Sequence, residues 1–160
     1  MNIRTATTAD LAAVTYLEAI CFPAAEAASE ESFAQRLMCY PGHFWLLMDG
    51  DTVVSFVNGL VTDDPDLRDE MYENAALHDE NGAWQMIFGV DTHPDYRRQG
   101  CAERLLNHAI AQSRAQGRKG LVLTCKERLV PYYSKFGFVS EGISQSTHGD
   151  VVWYQMRLTF

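Results

Sequence analysis

Six consecutive residues, Arg97-Arg98-Gln99-Gly100-Cys101-Ala102, stand where an apolar run gives way to a helical pattern. A helix start carries unpaired backbone N–H groups and the positive end of the helix dipole, so a strand, a tight turn and a helix make a ready anion site. Gly100 has no Cβ to keep a phosphate away from the main chain, and Ala102 is small for the same purpose. Arg97 and Arg98 add positive charge to a chain whose formal net charge is −8. The segment lacks the Gly-Lys-Ser/Thr ending of a phosphate-binding P-loop and the three spaced glycines of a dinucleotide fingerprint. The expectation is a pyrophosphate held mainly by main-chain N–H groups.

Other side chains are candidates for proton or acyl transfer. Glu26 lies in the small, apolar run Ala24-Ala25-Glu26-Ala27-Ala28, a setting that raises a carboxyl pKa toward the range useful to a base; the alternative is an exposed loop glutamate. Tyr132 and Tyr133 follow Pro131 late in the chain. Cys125 has no adjacent basic partner to activate it as a nucleophile. None of the five histidines is spaced with a cysteine or another histidine as metal ligands are, so no metal is implied. His93 falls in the turn before the anion segment, and His148 sits in the last hairpin, where it can line a substrate side. The four cysteines form neither a zinc knuckle nor a CxxC pair and read as free thiols.

The elements that must position these groups are legible from caps and periodicity. Residues 1–6 read as a strand. Thr7 caps a helix whose first turn holds Asp10, and Leu11, Val14, Leu17 and Cys21 form its apolar stripe. Phe22-Pro23 ends it, because the residue before a proline avoids the helical region. Ser29 caps a second helix through Phe33 and Leu37. His43–Met48 and Thr52–Val61, joined by Asp49-Gly50, read as a β-hairpin. Residues 63–81 form an acidic insertion with a helix around Leu67–Leu77; it is either a solvated face or a rim that attracts an amine. Ala83 to Thr92 reads as one strand buried on both faces. A helix from Cys101 to Gln116 ends at Gly117. Gly120–Cys125 is a buried strand, Val130–Lys135 a short helix, and 138–144 pairs with 150–158 in a final hairpin.

The bulk properties are those of one soluble globular domain, residues 1–160, with no repeat or linker. No apolar run approaches the roughly 20 residues of a membrane span, and no apolar segment follows Arg4 as in a signal peptide. A cytoplasmic protein is expected. The acidic balance disfavours nucleic acid and suits a cationic small molecule.

Two motifs then converge. The run Arg97-x-x-Gly100-x-Ala102, led by His93-Pro94-Asp95-Tyr96, and the later Pro131-Tyr132-Tyr133-x-x-Phe136-Gly137-Phe138 resemble the GNAT superfamily of N-acetyltransferases. The resemblance covers the whole chain and includes its element order. Cys125 to Phe138 is locally similar to the arylalkylamine (serotonin) N-acetyltransferase branch. The resemblance implies an α+β (mixed α/β) fold with a central, mostly antiparallel sheet of roughly six or seven strands flanked by helices.

It also implies acetyl-CoA as co-substrate, without a metal, and a primary amine acceptor such as an arylalkylamine or polyamine that attacks directly in a ternary complex. The strand ending at Thr92 would splay from the one ending at Cys125. The backbone of Val90, Asp91 and Thr92 would then meet the pantetheine arm, and Arg97, Arg98, Gln99, Gly100, Cys101 and Ala102 the pyrophosphate. Side-chain identity at Asp91, Gln99 or Cys101 would matter little. Tyr133 matches the family's acid: a phenol of pKa about 10 facing a thiol of about 8.5 is a close pairing.

Vertebrate members of the branch use a His-x-His base, and here those positions read Met86 and Phe88. Glu26 matches the glutamate that insect members place after the first helix. The departure at Met86 and Phe88 motivates one alternative, a non-catalytic acyl-CoA-binding sensor; a protein or peptide amine acetyltransferase is another, since members of the superfamily differ mainly in the acceptor cleft. A homodimer is compatible with either.

Overall fold

The structure is a computed structural model that describes residues 1–160. Its strands are β1 Asn2–Thr5, β2 Phe44–Asp49, β3 Thr52–Asn58, β4 Val61–Thr62, β5 Trp84–Ile87, β6 Gly89–Thr92, β7 Gly120–Cys125, β8 Val139–Ile143 and β9 Tyr154–Thr159. Its helices are α1 Leu11–Cys21, α2 Glu30–Cys39, α3 Glu70–Glu73, α4 Cys101–Ala115 and α5 Val130–Ser134.

The helix starts form as their caps dictate. The Thr7 hydroxyl accepts from the Ala9 N–H, and the Asp10 carboxylate accepts from the Thr7 N–H at 2.8 Å. Arg4 donates to both oxygens of the same carboxylate at 2.8 Å. One turn of 3-10 helix, Thr8–Asp10, then leads into α1. Phe22 is extended (φ −130°, ψ 150°) and stops α1 before Pro23. The Ser29 hydroxyl accepts from the Ser32 N–H and starts α2.

The strands form two sheets, of four (β1-β2-β3-β6) and five (β4-β5-β7-β9-β8). Every pairing is antiparallel except β5 with β7. The mostly antiparallel α+β architecture is as expected, but the single sheet of six or seven strands is corrected to these two. The residues expected as one strand, 83–92, divide at Phe88: β5 joins the second sheet and β6 the first. The expected hairpin also stops short. β3 ends at Asn58 and Val61 crosses to the second sheet, because the chain passes so close to β5 at Gly59 that a Cβ there would lie 1.8 Å from the Met86 carbonyl oxygen.

Both faces of β2 are buried. Trp45 and Leu47 pack with Leu105 and Leu106 of α4, while Phe44 and Leu46 pack with Leu17, Phe33 and Leu37 of α1 and α2. Each such side chain contributes roughly 1.5–3 kcal/mol. The acidic insertion is less helical than expected. Only Glu70–Glu73 and a 3-10 turn at Ala75–Leu77 form. Asp64 and Asn74 accept from the N–H groups of Asp66 and Ala76, two residues on, which competes with helix. Leu67, Met71 and Ala75 still anchor it over Met86 and Val122. No helix is long and apolar enough to cross a membrane.

Candidate functional site

The break at Phe88 makes the site. The parallel pairing of β5 with β7 ends at Ile87 opposite Leu123. Beyond it β6 turns to β3, while Thr124 and Cys125 of β7 pair only with Gln155 and Tyr154 of β9. The facing edges of β6 and β7 therefore part. The His93 N–H donates to the Val54 carbonyl, which sets the ladder phase. By antiparallel alternation Val90 and Thr92 aim their main-chain groups toward the gap rather than toward β3. The Thr92 carbonyl meets the Cys21 thiol at 3.3 Å.

At the far end of β6 the turn into α4 adopts the shape of an anion cradle. Arg98 (φ 61°) and Gly100 (φ 78°) are both left-handed. Alternating backbone handedness turns successive N–H groups toward one concavity, and the α4 dipole reinforces it. Gly100 earns its place by conformation: no atom lies within 4 Å of where its Cβ would be. Arg97, Arg98 and Gln99 are exposed. Cys101 is buried in the main core with its thiol 3.6 Å from the Tyr96 carbonyl, so its side chain closes the turn from inside, contrary to the expectation that its identity matters little.

The gap opens into a cavity of about 370 Å³. Phe22, Tyr72, Phe88 and Trp153 supply aromatic walls, and Tyr133, Cys125, Glu18 and Glu26 also line it. A larger groove of about 550 Å³ lies between the acidic insertion and β8. Its polar groups are already bonded to one another, Glu141 to Gln155 and Arg157, and Asp66 to Gln155, so we place the chemistry in the smaller cavity.

Tyr133 is buried, and burial pushes its phenol well above the usual range; Cys125, Tyr132 and Asp91 add to the shift, and no hydrogen bond to a protein group offsets it. Burial likewise pushes the Cys125 thiol up to about 11, so it stays neutral near pH 7. Glu26 lines the same cavity, but its Oε1 lies 2.8 Å from Lys126 Nζ. His148 also lines it; its Nε2 is 2.8 Å from the Glu26 carbonyl oxygen, and its ring stacks on Tyr72 at 5.2 Å. Tyr72 brings the insertion into the site: its hydroxyl lies 3.1 Å from Thr124 Oγ1, and burial lifts its pKa to about 12.

The structure adds Glu18, which the sequence reading passed over, and buries the Asp91 side chain, which that reading used only through its main chain. Glu18 of α1 is buried beside Asp91 of β6. Each stands out in retrospect, Glu18 as the one charge on the inward stripe of α1 and Asp91 as a carboxyl within a buried strand. His43, His78 and Glu80 also converge, with Glu80 Oε2 2.7 Å from His43 Nε2 and 3.0 Å from His78 Nε2. His78 Nδ1 accepts from the Val61 N–H, so its neutral ring carries the proton on Nε2 and donates it to Glu80. Burial lowers the His78 pKa and favours that neutral ring. This trio is a hydrogen-bonded clamp on β4 rather than a set of free lone pairs.

Comparison with known proteins closes the case for the family. Residues 11–138 match the profile described as acetyltransferase (GNAT) family. The chain is 28% identical over 109 residues to serotonin N-acetyltransferase of Mesocricetus auratus, covering 66% of this chain and 50% of that protein. The chain thus spans about half the length of that curated relative. Among solved structures it is similar to the GphF GNAT-like decarboxylase in complex with isobutyryl-CoA (TM-score 0.86, 22% identity, 99% of each chain covered). It is also similar to the ribosomal-protein-S18-alanine N-acetyltransferase of Escherichia coli (TM-score 0.75, 22% identity, 99% of this chain and 92% of that one). At that identity these two speak for the fold alone. With the parted strands, the amide cradle and a profile match over most of its length, the chain belongs to the acetyltransferase (GNAT) family.

Proposed function

We propose that the chain is an acetyl-CoA-dependent N-acetyltransferase acting on a small primary amine by direct attack in a ternary complex. The observation that carries this reading is the alignment of three features along one gap: the left-handed turn at Arg98 and Gly100, the free edge of β6 at Val90 and Thr92, and Tyr133 at the cavity. The turn and the α4 N-terminus fit a pyrophosphate. The β6 edge offers main-chain partners to a chain of amides. Acetyl-CoA supplies the activated thioester.

Tyr133 serves the departing sulfur. Its raised phenol pKa keeps the proton in place, so the hydroxyl donates a hydrogen bond throughout and passes its proton only as the sulfur leaves. The neutral Cys125 thiol is a poor nucleophile, which favours direct attack over an acyl-enzyme. Aromatic walls with carboxylates among them suit an arylalkylammonium. Glu26, proposed from the sequence as base, is neutralised by Lys126 and is better suited to shaping the acceptor wall.

The test is thiol release from acetyl-CoA with a panel of arylalkylamines, polyamines and N-terminal peptides. Turnover with a small amine supports the reading. Turnover with peptides alone moves the acceptor to a protein terminus. Cofactor binding without turnover for any amine points to an acyl-CoA sensor.

A further inference from the structure

Glu18 and Asp91 are 7% and 1% exposed; of the other buried carboxylates, Asp10 is fully bonded to Arg4 and Thr7, and Glu26 is paired with Lys126. Glu18 Oε2 accepts from the Ala28 N–H at 2.8 Å. Glu18 Oε1 and both carboxyl oxygens of Asp91 have no protein donor. The amide Nδ2 of Asn58 has no acceptor, and its orientation is fixed because Oδ1 accepts from Arg36 at 3.0 Å. These orphaned atoms ring the bare face of Gly89. A Cβ there would sit 3.1 Å from Asp91 Oδ1, 3.7 Å from Asn58 Nδ2 and 3.7 Å from Glu18 Oε1. Gly89 and Glu18 both line the cavity that holds Tyr133.

Unpaired buried carboxylates cost several kcal/mol each, so the pair must either hold a proton or meet a cation. Burial drives the Asp91 carboxyl well above the ordinary range, and the charge of the neighbouring Glu18 adds to the effect. The other titratable groups facing the pair are Arg36 from α2, Cys21 from α1, Tyr72 from the insertion and Tyr133 from α5. Arg36 pulls Asp91 down, but by less than burial and Glu18 push it up.

We infer that Glu18 and Asp91 form a carboxyl dyad that binds the ammonium of the acceptor and removes its proton through Glu18. This rests on the acetyltransferase reading above and names its base. In the doubly ionised form the dyad takes one proton from the ammonium; that N–H bond breaks and its electron pair stays on nitrogen. The nitrogen attacks the thioester carbon, and the carbon–sulfur bond breaks. The sulfur receives the Tyr133 proton, and Tyr133 regains one from the nitrogen as the amide forms. The dyad, now holding one shared proton, is back in its resting form and releases that proton to solvent through the cavity as the next ammonium binds. Of the three ammonium protons, one reaches solvent, one reaches the thiol and one stays on the amide.

An alkylammonium of pKa about 10 leaves about one molecule in a thousand neutral at pH 7, so the need for a base fades as pH rises. The experiment measures kcat/KM for the best alkylamine of the panel, from pH 6 to 10, in the wild type, Glu18→Gln and Asp91→Asn, with acetyl-CoA affinity measured alongside. The expectation for Glu18→Gln is a loss of about 10²-fold or more near neutrality that shrinks toward the ammonium's pKa, with acetyl-CoA affinity retained. Asp91→Asn shows the same pH signature. A deficit independent of pH, or no deficit, overturns the dyad while leaving the acetyltransferase reading intact. If the wild type acetylates no amine, the parent reading fails instead. A readout free of turnover is infrared spectroscopy at pH 6, where the wild type shows a protonated carboxyl band that Asp91→Asn lacks; its absence from the wild type also overturns the proposal. Should Glu18→Gln not fold, Asp91→Asn and this band carry the test.

Discussion

Lys126 Nζ lies 2.8 Å from Glu26 Oε1, so the chain just after β7 is tied to the loop between α1 and α2. The carboxylate end of this pair is almost wholly buried, with 7% of the Glu26 side chain exposed against 25% for Lys126. Removing the lysine leaves a buried charge without a partner. Its cost falls between that of a surface pair and that of a fully buried one, about 1–3 kcal/mol. For a chain of this size Lys126→Met should lower the melting temperature by about 3–10 °C. The double variant Glu26→Gln, Lys126→Met should recover part of that loss, because neither charge is then stranded. Thermal melts of the two singles and the double check it. Equal, additive losses would show that the pair is not coupled.

Tyr133→Phe removes one hydroxyl from a packed ring. Edge-on contacts with Tyr132 and Phe138, at 5.1 and 6.2 Å, are unaffected. The expected outcome is a fall in kcat of about 10²-fold with the acetyl-CoA dissociation constant unchanged. Steady-state kinetics beside calorimetric titration separate the two. A loss of affinity matching the loss of rate would move Tyr133 from proton donor to cofactor wall.

Gly100→Ala tests whether the cradle depends on its main chain. The new Cβ meets nothing within 4 Å, but φ of 78° is unfavourable for any residue that carries one. The strain is about 1–2 kcal/mol, a fall of about 2–8 °C in melting temperature. Loss of one charge-assisted amide contact should also weaken CoA binding about tenfold. Gln99→Ala is the control. Its side chain is exposed and reaches only the Asp95 carbonyl, at 3.4 Å, so CoA binding should hold.

The Arg4–Asp10 pair gives stability a pH dependence of definite sign. Hydrogen bonds from Arg4, with smaller help from Thr7, hold the Asp10 carboxyl below its ordinary value. A group whose folded value is depressed stabilises fully above its unfolded value, about 3.9, and that contribution disappears as pH falls through the folded value. Asp10→Asn should therefore cost about 1 kcal/mol at pH 7, the usual worth of such a cap. The difference from the wild type should close as pH drops below about 4. Chemical denaturation of both proteins between pH 3 and 7 measures it; a gap that does not narrow toward the acid end would contradict the assignment.

How much of this was legible in the chain depended on how far each interaction reaches. Thr7, Asp10, Ser29 and the Phe22-Pro23 stop act within a few residues, so the starts of α1 and α2 and the end of α1 could be read directly. The α4 stripe and the Gly100 turn are equally local, and with the Pro131–Phe138 motif they identified the family. The break at Phe88 was hidden, because an apolar strand looks the same whether its two halves stay in one sheet or part into two. What divides it is the neighbour each half keeps: β5 stays with β7, while β6 stays with β3 on the opposite edge and parts from β7, which is settled only when the chain has folded. The same holds for the charges. A carboxylate is assigned by what desolvates it and what faces it, and neither neighbour lies nearby in sequence: Lys126 turned Glu26 into half of an ion pair, and Asp91 turned Glu18 into half of a dyad. The sequence by itself determined the helix start at Arg97–Ala102 proposed to hold a pyrophosphate, since main-chain N–H groups there need only local backbone geometry. Which carboxylate is left unpaired beside the cavity was decided by tertiary structure, because burial and charge pairing are properties of distant segments brought together.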